Sequence, residues 1–202
     1  MKRVVPAALV CAIALCLAWT SSTARKPNSV KLLASLCQPT EQAIFQCVLK
    51  TKQVAVCAAD RPNQNVVQYR FGRPGKIELA YPVDPKNGPG SLKWATTGFS
   101  GGGGMQIHFE NAGTRYVLYS NMVRTGFGSD GLNYPMDQLG LFATRNGQLT
   151  YDQHCKSDSS LAGGNDGWIN EAKAKSSLPE GEYLYGPDAF YKRWEKEVHA
   201  RR

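Results

Sequence analysis

Histidine is scarce in this sequence, with three residues in 202. His108, His154 and His199 stand far apart with no second ligand at metal spacing, so neither a metal site nor a cofactor is expected. No C-x-x-C pair occurs, and the spacing of Cys47 and Cys57 fits no zinc finger. Heptad and triplet repeats are missing, which excludes coiled-coil and collagen-like chains. The nucleophile elbow G-x-S-x-G is missing too, because Gly98-Phe99-Ser100-Gly101 displaces the serine. A triad drawn from Ser100, His108 and an aspartate therefore has no support in the sequence, and the chain reads as a non-enzyme. Basic residues are scattered. Arg70, Arg73 and Lys76 share one turn region while Arg115, Arg124 and Arg145 stand alone, so nucleic acid is not an expected partner. Between Ala43 and Asp152 no segment has helical spacing, which excludes parallel crossovers.

What is present favours a turn-rich β protein: Gly 20, Pro 11, Tyr 9, Phe 7 and Trp 4, with 42% hydrophobic residues. The length suits one domain with small appendages and a self-sufficient core. Residues 1–24 read as a secretory signal: Lys2 and Arg3, an apolar run from Val4 to Trp19, then small and polar residues ending at Ala24. Cleavage there takes two positive charges from a formal net charge of +8. The remaining mildly cationic surface suits anionic envelope polymers. A periplasmic or secreted protein is expected, with no stable membrane insertion after cleavage.

Cys11 and Cys16 leave with the signal, and Cys37, Cys47, Cys57 and Cys155 remain. An even count in an exported chain implies two disulfides, and four cysteines allow three connectivities. Cys47 and Cys57 flank a turn around Thr51-Lys52, so a hairpin would pair them and leave Cys37 to Cys155.

Residues 25–36 form a basic, loose arm, and the β domain spans 37–155. Its short segments are separated by turn residues, as in sandwiches and barrels. Val67, Tyr69 and Phe71 alternate with Gln68 and Arg70; Met105, Ile107 and Phe109 alternate with Gln106, His108 and Glu110. Asn146-Gly147 is a strong hairpin signal. The expectation is an antiparallel flattened barrel or sandwich of about eight strands. Residues 156–202 read as a loop followed by a helix that opens at Pro187. There Phe190, Trp194 and Val198 recur on one face, packed on the barrel rather than on a membrane.

The run Ser100-Gly101-Gly102-Gly103-Gly104 leads into the strand at Met105, which excludes a P-loop. Two readings stay open: a glycine bulge that bends a strand, or a slim loop projecting toward a partner.

Phe45-Gln46-Cys47, Val54 to Cys57, Tyr69-Arg70-Phe71-Gly72 with Glu78-Leu79, Phe99 to Gly104, Tyr116 to Tyr119 and the later Cys155 resemble a group of exported bacterial proteins. The arrangement is similar to periplasmic inhibitors of invertebrate-type lysozymes. That resemblance covers 37–155 and implies a loop, Ser100 to Gly104, that plugs a lysozyme cleft. In that family an aromatic lies near the loop. No tyrosine follows Gly104 within a few residues here, so Tyr116 or Tyr119 would stand in. The alternative is an envelope structural or glycan-binding protein, without inhibitory activity, that holds saccharides on exposed Trp or Tyr. The partner is then a lysozyme or a cell-wall glycan.

Overall fold

The computed structural model describes residues 32–60, 65–124, 126–127, 129–157, 160–164 and 166–200, the side chains of 197–200 excepted. The expected leader, most of the basic arm and the Val198 side chain lie outside the described residues. The chain forms β1 (Glu41–Val48), β2 (Gln53–Ala59), β3 (Val67–Arg73) and β4 (Lys76–Tyr81), then a short helix α1 (Gly88–Ser91). It continues as β5 (Lys93–Phe99), β6 (Gly102–Asn111), β7 (Thr114–Val123), β8 (Met136–Arg145) and β9 (Gln148–His154). Two helices follow, α2 (Glu171–Ser177) and α3 (Asp188–Ala200).

The strands form two antiparallel meanders in chain order, a four-stranded sheet β1-β2-β3-β4 and a five-stranded sheet β5-β6-β7-β8-β9. Neither closes on itself, so the fold is a β-sandwich. Tight turns set the register: Asn146 and Gly147 take φ of 51° and 75°, and Arg145 pairs with Gln148 across them.

Alternation dictates the layers. Phe45, Val54, Val56 and Tyr69 from one sheet meet Ile107, Phe109, Leu118 and Leu141 from the other in the main core. Phe109 stacks between Tyr81 and Tyr116, at 4.6 and 4.9 Å between centroids. β2 is buried along its whole length because its outward residues are also covered. Leu36 and Cys37 from the arm lie against Ala55 and Cys57 there. The described end of that arm is thus docked, with Leu33 bridged to Leu161. Arg70, basic in sequence, points outward into a two-pronged pair with Glu41, at 2.6 and 2.8 Å.

The far face of the five-stranded sheet carries a second core. Val117, Tyr119 and Phe142 pack beneath Phe190 and Trp194 of α3, as the spacing of those two residues predicts. His154 stacks on Trp194 at 4.0 Å, and Arg193 pairs with Asp152 and hydrogen-bonds His154, which fixes α3 to β9.

The chain after Cys155 closes sheet edges. Lys156 N–H donates to Val48 O (2.8 Å), Gly167 N–H to Gln46 O (2.6 Å) and Asn170 N–H to Ile44 O (2.7 Å), covering β1. Trp94 on β5 exchanges bonds with Pro179 O (3.1 Å) and Gly181 N–H (2.8 Å). The amide of Gln46, almost wholly buried, accepts from Ser35 Oγ and donates to Ala162 O and Gly164 O.

The disulfides correct the expected pairing: they join Cys37 to Cys57 and Cys47 to Cys155. The β1–β2 register places Cys47 opposite Val54, and Cys57 opposite Ala43. The turn therefore centres between Lys50 and Thr51, ahead of the midpoint a Cys47–Cys57 bridge needs. Cys47 points into the main core and Cys57 to the outer face, so one hairpin cannot join them. Two disulfides suggest an oxidising, extracytoplasmic compartment. No helix among the described residues is long and apolar enough to cross a membrane.

Candidate functional site

The glycine run is not a bulge, and most of it is strand rather than projecting loop. Gly102, Gly103 and Gly104 pair in unbroken register with Phe99, Gly98 and Thr97 on one side. On the other side Gly103 and Gly104 pair with Met122 and Asn121. Only Ser100 and Gly101 form the turn, exposed, with Gly101 at φ 79°. The glycines allow close approach: a Cβ on Gly102 would lie 2.0 Å from Met122 O, and one on Gly104 2.3 Å from Asn121 Oδ1.

Tyr116 and Tyr119 lie three residues apart on β7 and so face opposite sides. Tyr116 stacks on Phe109 between the sheets. Tyr119 is buried in the second core, edge-on to Phe190 at 5.3 Å. Neither is brought to the Ser100–Gly101 tip. His108 sits at the other end of the β5–β6 hairpin from Ser100, opposite Lys93, so the two do not meet. Among the described residues, the one cluster with metal-ligand spacing is Cys37, Glu41 and Cys57, and its thiols are consumed by a disulfide.

The structure forms a site that the sequence reading did not assemble. The outer face of β5–β8 is roofed by the extended segment 183–186 and by α3, enclosing a cleft of about 480 Å³. Small-ligand sites run from about 300 to 1,000 Å³. Its walls are aromatic. Phe99 meets Tyr183 edge-on at 6.1 Å, Tyr183 meets Tyr185 at 5.3 Å, and Phe190 meets Tyr191 at 5.3 Å. Tyr119 and Phe142 line it from the sheet. Gly140 makes room for Tyr119, since a Cβ there would stand 2.6 Å from the phenol oxygen.

Three amides, Gln106, Asn121 and Gln138, line the same cleft from successive strands. The Gln106 amide donates to Leu184 O (2.8 Å) and accepts from Leu184 N–H (2.9 Å), pinning the roof to β6. Tyr183 Oη donates to Asn121 Oδ1 at 3.1 Å. Gly186 N–H donates to Tyr191 Oη at 3.2 Å. Burial pushes both phenols, Tyr183 and Tyr191, above their ordinary range, so they stay neutral hydrogen-bonding groups. At the mouth Tyr185 is 69% and Tyr191 41% exposed. Glu195 is the one carboxylate among the lining residues described.

Arrangement and chemistry agree: flat apolar walls, neutral polar groups between them, and an open aromatic rim. Walls and polar groups of this kind suit a neutral ligand with both C–H faces and hydroxyl or amide groups. The signal in the sequence was the alternation Tyr183-Leu184-Tyr185 ahead of Pro187, which marks an extended aromatic segment. No protein-family model matches the chain, and neither a curated protein nor a solved structure matches it.

Proposed function

We propose that this chain is an exported binding protein of the envelope, periplasmic or secreted, whose aromatic cleft holds an uncharged segment of cell-wall saccharide. The observation that carries this reading is the conjunction of exposed Tyr185 and Tyr191 at the mouth with Gln106, Asn121 and Gln138 inside. Sugar rings offer C–H faces to aromatic side chains and hydroxyls to amides, and such pockets gain orientation from a few placed polar groups. The test is titration of the purified protein with N-acetylglucosamine oligomers, followed by tyrosine and tryptophan fluorescence. Saturable binding that weakens at least several-fold in Tyr185→Ala and Tyr191→Ala is expected. No binding to any wall-type saccharide overturns the reading.

One observation favours a second reading, occlusion of a lysozyme. Ser100 and Gly101 form an exposed two-residue tip on a rigid hairpin, with Phe99 beside them at the cleft. Such a tip would present Ser100 Oγ to a carboxylate of the enzyme, as the likeness to lysozyme inhibitors implies. A turbidity assay of wall lysis with several lysozyme classes decides it. Protection lost in Ser100→Ala supports this reading, and unchanged lysis with the wild-type protein removes it.

A further inference from the structure

A second cavity, of about 500 Å³, opens between the two sheets. Its walls are Tyr69, Phe71 and Leu79 from the four-stranded sheet and Tyr116, Leu141 and Tyr151 from the five-stranded sheet. Phe71 meets Tyr151 edge-on at 6.0 Å, and Tyr69 lies 6.1 Å from Tyr116, so the rings bridge the sandwich around the opening. Burial drives the Tyr69 phenol well above its ordinary range, so it stays a neutral group in the wall. Unlike the aromatic cleft, this cavity has no amide among its described lining residues.

Its rim is basic. Arg145 lines the mouth from β8, and Lys52 lies over the Phe71 ring at 5.0 Å. The rim carboxylate Glu78 is held below its ordinary range by its bond to Lys52, with the charges of Lys76 and Arg73 adding. Three cations, Lys52, Lys76 and Arg73, thus act on the one acid of the lining, and Arg145 adds a further positive charge to the mouth. Arg145 gives Nε–H to Thr114 Oγ1 (3.0 Å) and Nη2–H to Ala112 O (3.2 Å). Its Nη1 group has no protein acceptor among the described residues.

From this geometry we infer that the inter-sheet cavity binds a fatty acid, its acyl chain between the sheets and its carboxylate on Arg145. The rings and aliphatic side chains of the walls supply apolar area for a chain, with the Tyr69, Tyr116 and Tyr151 phenols and the Thr114 and Thr150 hydroxyls as the neutral polar groups among them. The rim supplies charge-assisted hydrogen bonds that an anion gains and a cation does not. This site is separate from the saccharide cleft and stands or falls without it.

The experiment titrates the intact protein with dodecanoate below its micelle concentration, with dodecyltrimethylammonium as the cationic control of equal chain length. Dodecanoate is expected to bind saturably and raise the melting temperature, as any ligand of the native state does. The cation is expected to bind at least about tenfold more weakly. Arg145→Gln is expected to weaken dodecanoate about tenfold or more. Thr150→Trp, a change at an exposed rim position, is expected to block the mouth, and Tyr185→Ala in the other cleft to leave binding unchanged. Should Thr150→Trp melt early, Arg145→Gln decides alone. Equal affinity for anion and cation, no effect of Arg145→Gln, or loss of binding in Tyr185→Ala each overturn the proposal.

Discussion

The side-chain amide of Gln106 and the backbone of Leu184 exchange two hydrogen bonds, at 2.8 and 2.9 Å, in place of a β-ladder rung. A side chain on the sheet face thereby holds the roof of the aromatic cleft where no strand pairs with it. Gln106→Leu keeps the volume but leaves Leu184 N–H and C=O without these partners. We expect a loss of about 1–3 kcal/mol in urea unfolding. Amide exchange in 182–186 should accelerate in the same variant, while protection in β7 and β8 stays. Unchanged exchange in the roof would refute the tie.

The disulfides make a graded prediction. Cys47–Cys155 spans 108 residues and Cys37–Cys57 spans 20. In the chain-entropy model these closures stabilise by about 5 and about 3 kcal/mol. Cys47→Ala/Cys155→Ala should therefore cost more in urea unfolding than Cys37→Ala/Cys57→Ala. Non-reducing peptide maps should show these two pairs; a Cys47–Cys57 peptide would contradict the register of β1 and β2.

Gly98 and Gly102 offer a matched comparison on one hairpin. A Cβ on Gly102 meets the Met122 carbonyl oxygen at 2.0 Å, backbone that cannot swing aside, whereas one on Gly98 meets nothing within 4 Å. Gly102→Val should destabilise by about 1–3 kcal/mol or more. Gly98→Val should be neutral or mildly stabilising, since a β-branched residue suits a strand. Thermal melts of both variants check this, and equal stability would mean the β6–β7 contact is looser than described.

Burial lowers the affinity of His108 for a proton below its ordinary value of 6.5, with the charges of Lys93 and Arg115 adding and a backbone hydrogen bond at Glu182 opposing. Below pH 6.5 the unfolded chain takes up a proton that the folded chain resists. Stability is thus full above that pH and falls as the solution is acidified. Urea midpoints between pH 7.5 and 5.5, above the range where carboxylates titrate, should drop for the wild type and flatten in His108→Gln. An identical slope in both would place the titration elsewhere.

Period-2 alternation made the strands legible: Val67-x-Tyr69-x-Phe71 and Met105-x-Ile107-x-Phe109 face inward as their spacing requires. Phe190 and Trp194 likewise announced the face of α3 that packs. The cysteine pairing was not legible, because it depends on the turn centre and on the bulge at Ile44, which breaks the register between Ala43 and Phe45. α2 was passed over although Asn170 caps it, accepting from Lys173 N–H at 3.1 Å. Gly102 to Gly104 read as a bulge or as part of a slim projecting loop because composition does not distinguish glycine that bends or frees a chain from glycine that lets another strand come close. The cleft escaped notice because its lining runs from Phe99 to Glu195, and only the folded sheet gathers it.

Because residues 156–181 supply the backbone partners of Val48, Gln46, Ile44 and Trp94, both sheets are completed before the pieces that seal their rims exist. During N-to-C synthesis, a half-emerged molecule therefore carries two open templates for pairing with neighbours. Sealing comes only with the last quarter of the chain. The nascent protein is consequently most adhesive just before it is finished, and a copy cut short after Cys155 would be a seed for aggregates rather than a smaller working domain.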